Sequence, residues 1–305
     1  MTGLLLWAQW RQWLHTWLAR RRVPAIVVVS LAALSFATVL TIFGYAIGRS
    51  ASLDAIRPLA GLALPAVVIL VILADLPQVY GQLYVARDVE LLFTLPIPTR
   101  SVFLVKYLQT LVVGNLLTIP FVLIPLIGLG VGAGAHPVYY PAVVVVVVTV
   151  VAGAVAISYL VTLTLVRFLP RKRLNELIVV FQALTGLVAA LFGQVFRYSD
   201  QLDRATDVLP VAPVWLPTTW GAIALERLAR ADPIGILPAL GVIAISGGLL
   251  LLSMTMVERG FRLGWVRLSE GGRRKRPARE RAASHAPLRG PIAAIAAKEI
   301  TMLRR

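Results

Sequence analysis

Six apolar stretches, each long enough to cross a hydrocarbon core, constrain this chain more than any motif in it. They run approximately over Pro24–Ile47, Pro58–Tyr80, Val102–Val131, Tyr139–Phe168, Leu177–Phe196 and Pro233–Val257. A crossing needs roughly 20 residues at about 1.5 Å of rise each. Lipid offers no water to peptide groups, so unbroken runs of this length are helices; barrel strands would alternate over about ten residues. The Val143–Val148 run has strand propensity, which the membrane overrides. Composition points the same way, at 58% hydrophobic and 14% charged with a mean hydropathy of +0.82. A globular average is near 45–50% apolar and about 25% charged, and a soluble fold could not cover the excess. The expected fold is therefore all-α and integral to a membrane, with six transmembrane helices.

Charge sets the expected orientation. Lys and Arg outside the spans or at their ends divide 24 to 6 between alternate sides. The N-terminus, the loop holding Arg87, Arg100 and Lys106, the loop holding Arg167 to Arg173, and the C-terminal tail form the rich side. By the positive-inside rule that side is cytosolic, with both termini on it, which suits the inner (cytoplasmic) membrane of a cell. The formal +16 charge then reflects topology and affinity for anionic membrane lipids. Nucleic acid, the other partner a pI near 11.2 suggests, is not expected.

Cysteine is absent, which removes disulfides, thiolate catalysis and Cys-ligated metals. No cleavable signal peptide is evident. Residues 1–22 instead read as an interfacial helix. Leu6, Trp10, Trp13, Leu14, Trp17 and Leu18 recur at helical spacing, and Arg20 to Arg22 lead to Pro24 and the first span. Whether it is a simple anchor or a specific elbow helix is open on these residues.

The segment Arg87 to Lys106, RDVELLFTLPIPTRSVFLVK, lies on the cytosolic side in this topology. Asp88 and Glu90 fall near a helix start, where negative charge is favoured. Val89, Leu92, Phe93 and Pro96 make an apolar stripe with Leu91 and Leu95 beside it. Pro96 and Pro98 end that helix, Thr99 is a suitable N-cap for the next, and Arg100 and Lys106 would hold the next span at the surface. On physical grounds a docking helix and a surface re-entry helix are equally admissible.

Here the chain resembles the membrane subunits of type-2 ATP-binding-cassette exporters. The resemblance lies in Glu90-Leu91-Leu92-x-x-Leu95-Pro96-Ile97-x-x-Arg100, followed by Lys106-Tyr107-Leu108 opening a span. The N-terminal helix, six spans, cytosolic termini and an external segment before the last span extend it over Leu4 to Val257. It implies a permease subunit of an ATP-driven exporter, with Asp88, Glu90, Leu91, Leu92, Phe93, Leu95, Pro96 and Arg100 as the coupling helix that meets ABC ATPase subunits acting in trans. The sequence contains no GxxxxGK[ST] loop, and none of its lysines follows a glycine. The chain is accordingly expected not to be an enzyme and to have no cofactor, with ATP and Mg bound by the partner ATPase. Secondary transport and a non-transporting scaffold are the rival functions, and an intramembrane enzyme lacks converging catalytic groups.

Within the spans, Asp75 is the one acid, two residues before Pro77. A charge at the bilayer centre costs about 2.5–3.5 kcal/mol on insertion scales, so Asp75 should face protein, water or a cation, as a pathway or gating residue or as a helix-pairing one. Pro65, Pro120, Pro125 and Pro238 are candidate kinks. Gly128, Gly130, Gly132 and Gly134 alternate without the GxGxxG spacing of a nucleotide loop and read as helix termination. The external segment 197–232 carries Trp215 and Trp220; the stretch around Trp220 reads equally as an interfacial helix with an aromatic anchor or, by the resemblance, as an external gate helix. Residues 23–257 are thus the transmembrane domain, 258–290 a basic, disordered cytosolic linker, and 291–305 the possible start of a second elbow helix or repeat. One six-helix unit is small to enclose a pathway. A second permease half is therefore expected, as a homodimer, a homologue or a missing C-terminal repeat.

Overall fold

The computed structural model describes residues 23–85, 99–169, 171–197 and 213–271. Its helices are α1 (Val23–Ala51), α2 (Ile56–Tyr80), α3 (Thr99–Gln109), α4 (Thr118–Ala133), α5 (Tyr139–Phe168), α6 (Arg171–Arg197), α7 (Pro217–Ala229) and α8 (Ile236–Gly271). A π-helical turn, Gly81–Val85, continues α2, and another, Thr110–Gly114, continues α3. Among the described residues there is no strand, and the Val143–Val148 run lies inside α5. Residues fall into two units, Met1–Gly264 and Trp265–Arg305. Of the second, only the helical end of α8 through Gly271 is described.

Among the described residues, three helices are long and apolar enough to cross a membrane: Leu53–Leu83, Tyr139–Phe168 and Pro233–Val257. A fourth crossing is available if Arg100–Gly114 and Thr118–Ala133, bent by 55°, act as one. The first and fifth apolar runs lie in α1 and α6, which include the apolar helices Leu34–Ser50 and Glu176–Val188. The bend in the third run follows the π-helical turn at Thr110–Gly114 rather than a proline. Pro120 lies in the first turn of α4, where a missing N–H leaves no bond unmade.

The glycines of the third run pack rather than end it. A Cβ on Gly44 or Gly48 of α1 would lie 2.2 Å from the carbonyl oxygen of Pro125 or Leu129 on α4. One on Gly128 or Gly132 of α4 would lie 2.6 Å or 2.2 Å from the carbonyl oxygen of Thr41 or Tyr45 on α1. This is the small-xxx-small seam by which membrane helices bring their backbones together. Gly130 receives the Tyr139 ring, whose hydroxyl donates to Leu126 O at 2.8 Å. Only Gly134, at φ 69°, terminates α4, and Ala135 N–H closes back on Gly130 O at 2.8 Å.

The core is built around α5. Val143, Val146, Val147, Val150, Val151, Ala154 and Val155 are buried against α2, α4 and α7. α7 lies over the end of α2 that begins at Ile56, with Gly221 fitted against Leu64 and Val146. α8 runs on past Val257 to Gly271, through the first part of the segment expected as a linker. The interfacial segment 1–22, the rest of the linker and the final 291–305 lie outside the described residues.

Candidate functional site

The break between α3 and α4 gathers the polar groups of the bundle interior. Asp75, on α2, is 2% exposed and accepts a hydrogen bond at 3.0 Å from the Nδ2 of Asn115, the residue just after the π-helical turn. The same amide donates to Thr110 O at 3.2 Å. Asn115 thereby ties the broken backbone to the one buried acid. Thr110, also buried, has its hydroxyl 3.0 Å from Gln82 Oε1, 3.1 Å from Lys106 O and 3.0 Å from the Tyr159 hydroxyl. A hydroxyl has one proton to give. Thr110 therefore donates to one of the two carbonyl oxygens, and Tyr159 donates to Thr110.

Aromatic rings wall this network. Phe103 of α3 meets Tyr159 of α5 edge-on at 5.1 Å, and Tyr107 lies 5.9 Å from Tyr159. The Tyr107 hydroxyl donates to Ala152 O at 2.8 Å. Each buried polar atom so far named is thus bonded, as a low-dielectric site requires. Beside the same stretch of α2, a cavity of about 380 Å3 is lined by Ala74, Pro77, Gln78, Gln182 and Thr185. Gln78 reaches from this cavity to Gly114, where a Cβ would lie 2.7 Å from its amide nitrogen.

At the other end of α2 a second group of charges is exposed. Arg230 pairs with Asp54 and, at 3.2 Å, with Glu226, while Arg57 lies 3.9 Å from Glu226. Such solvent-facing pairs contribute about 0–1 kcal/mol each. They fasten α7 to the short turn Leu53–Ala55 that precedes α2.

Of the residues singled out from sequence, Asp75 lies in the buried network. Trp215 is 77% exposed, and Trp220 donates its indole N–H to Val214 O at 2.7 Å and covers Gly241 of α8. Neither tryptophan is near Asp75. Gly221, beside Trp220, meets α2 at Leu64, eleven residues or about 16 Å along the helix from Asp75. Arg100 is exposed in the first turn of α3 and Lys106 is buried. Asp88, Glu90, Leu91, Leu92, Phe93, Leu95 and Pro96 lie outside the described residues. Asn115, Thr110, Gln82 and Tyr159 were not reached by sequence reasoning. The signal was present: a polar cluster, Gln109, Thr110 and Asn115, interrupts an otherwise apolar run.

The described residues thus define a helical bundle with membrane-length apolar helices and a polar network under a broken one. Over residues 18–305 the sequence matches a family described as "Putative ATP-binding cassette", and the chain belongs to that family. No curated protein and no solved structure matches it.

This finding overturns the reading carried by the resemblance. Neither the type-2 exporter permease family nor the function of a permease subunit driven by a separate ATPase stands, because the matching family is one of ATP-binding cassettes. The expectations of a non-enzyme lacking its own ATPase motif, and of ATP and Mg bound by a partner alone, fall with it. The resemblance rested on a short acidic and apolar pattern ending in Pro-x-Pro, which surface helices share, and on its placement between apolar runs.

The residues described do not fit a nucleotide. A phosphate loop joins a strand to a helix through glycines and ends in a lysine. Among the described residues there is no strand, and neither Lys106 nor Lys172 follows a glycine. Gly128, Gly130 and Gly132 are closed by backbone or ring atoms. No chemical step through nucleotide is therefore derived. Among the described residues no His, Cys, Asp and Glu cluster suits a metal ion either.

Proposed function

We propose that this chain is an ATP-binding-cassette subunit that is anchored in a membrane by its apolar helices and works beside other components of a transport assembly. The observation that carries this reading is the family match over residues 18–305, a range that includes every membrane-length apolar helix described. The charge bias supports an orientation with the basic loops and both termini cytosolic and the Asp54, Glu226 and Arg230 cluster external. The basic tail then meets anionic lipid head groups. The segment from Asp88 to Arg100, acidic at its start and apolar through Leu91, Leu92, Phe93 and Leu95, is the contact offered to another component of the assembly.

Alkaline extraction followed by affinity purification tests this. The chain stays in the membrane pellet and brings other cassette components with it; release into the supernatant, or recovery of the chain alone, overturns the reading. Reversing the charges of Asp88 and Glu90 together with Phe93→Ala weakens that association by about tenfold or more while insertion is unchanged. Photolabelling of the isolated chain with an azido analogue of ATP decides where the family's nucleotide is held.

A further inference from the structure

Asp75 sits inside the candidate span Leu53–Leu83 with almost no exposure. Its hydrogen-bond partner is a neutral amide, Asn115. The ion pairs found among the described residues join Arg57 and Arg230 to Asp54 and Glu226, and none includes Asp75. A buried carboxylate without a cation is costly in a membrane, and such acids face a cavity or a partner.

Among the described residues no other acid is hydrogen-bonded to it. On its own helix the nearest titratable group is Tyr80. From α3 come Lys106 and Tyr107, and from α5 comes Tyr159. On α6 the neighbours at this level are the neutral Gln182 and Thr185, with Arg173 and Glu176 nearer that helix's start. α4 has no titratable residue, and Glu226 and Arg227 of α7 lie toward the Ile56 end of α2.

Two further features surround this carboxyl. Asn115 bonds both Asp75 and the backbone of the π-helical turn, so the state of the carboxyl acts directly on the geometry of the break. π-Helical distortions of this kind concentrate at functional sites. An opening of about 380 Å3 lies beside this turn of α2, lined by Ala74, Pro77, Gln78, Gln182 and Thr185.

We propose that Asp75 is a proton-binding site: its carboxyl holds a proton while Asn115 closes the broken span over it, and yields that proton to water when the break opens. One O–H bond of the carboxyl breaks, the pair stays on the carboxylate, and water takes the proton. Asn115 is the positioning residue. Its amide donates to the carboxyl in either state, so the protonation change reaches Thr110 and the bend without a new partner.

The chain's lack of cysteine allows a clean test. Leu117, at the break and 82% exposed, is replaced by cysteine, labelled with an environment-sensitive fluorophore, and titrated in lipid nanodiscs from about pH 4 to about pH 9, a range spanning ordinary and buried carboxyls. One protonation step is expected. It disappears in Asp75→Asn, which keeps an oxygen for the Asn115 amide, and survives in Asp54→Asn at the outer charge cluster. Infrared difference spectra of the unlabelled protein with isotope-labelled aspartate report the same step directly. Asn115→Ala retains the step but displaces its midpoint by about one pH unit, the scale of one hydrogen bond to a charged group. A step that persists in Asp75→Asn, an infrared titration with no aspartate step, or loss of the step in sodium at constant pH, which makes the site one for a metal cation, each overturns the proposal.

Discussion

Helices α5 and α8 are both apolar enough and long enough to cross a membrane, yet 61% of the apolar window of one is buried in the bundle and 11% of the other's. Hydropathy does not separate them, because lipid and protein interior are equally apolar. Their inward faces do. α5 buries Val151, Ala154, Val155, Ala156, Ser158, Tyr159 and Thr162: small groups that let neighbours approach, hydroxyls of Ser158 and Thr162 satisfied by carbonyls of α5 itself, and a Tyr159 hydroxyl bonded to Thr110. α8 turns Ile236, Leu237, Leu240, Leu251 and Leu252 outward. Where the two meet, Gly153 faces the Ser246 hydroxyl, which would lie 2.7 Å from an added Cβ. In a membrane, then, position in the bundle follows from small and polar side chains more than from large apolar ones.

The largest effect expected from breaking this contrast is at paired leucines. Leu163→Ala in α5, where the side chain is 8% exposed, costs about 2–4 kcal/mol by cavity formation. Leu251→Ala in α8, 65% exposed, changes stability by no more than about 0.5 kcal/mol. Reversible unfolding in mixed micelles measures both, and equal losses would remove the distinction. Tyr159→Phe comes next, at about 1 kcal/mol, because it removes the hydroxyl that donates to Thr110. The aromatic packing with Phe103 is untouched by that change. A double mutant with Thr110→Val should show the two losses to be non-additive.

Glycines give a smaller, opposite-signed pair. Gly247 of α8 has nothing within 4 Å of an added Cβ, so Gly247→Ala stabilises by about 0.5–1 kcal/mol through helix propensity. At Gly153 the same change must displace Ser246 and forfeits that gain, which the same unfolding assay reads as no stabilisation. The smallest effect lies outside the core. Arg230→Ala should cost about 0.5 kcal/mol or less, and the difference from the parent should shrink as salt is raised.

How much of this was legible in the letters differs from place to place. Helical class, the apolar helices and the isolation of Asp75 follow from run length and from one acid in an apolar run. The break in the third run did not, because Thr110 to Leu117 reads as part of one stretch and only the hydrogen bonds of a helix reveal where it breaks. The alternation of Gly128, Gly130, Gly132 and Gly134 was read as helix termination. Yet three of them are packing sites, because Gly44 and Gly48 on a distant segment, and the Tyr139 ring, complete the contacts. A glycine's role depends on what approaches it, and that partner is remote in sequence. The family was misread because a short pattern at Glu90 to Arg100, with the general layout of apolar runs around it, is shared by unrelated helical chains.

The sequence by itself determined that the chain is helical, membrane-length in its apolar segments and asymmetric in charge, because these depend on local composition and on the absence of water in lipid. Tertiary structure decided which helix is central, where the third apolar run bends, and that Asp75 meets Asn115 across 40 residues. Pairing of polar groups in a low-dielectric interior is a property of distance between segments, and no single segment contains it.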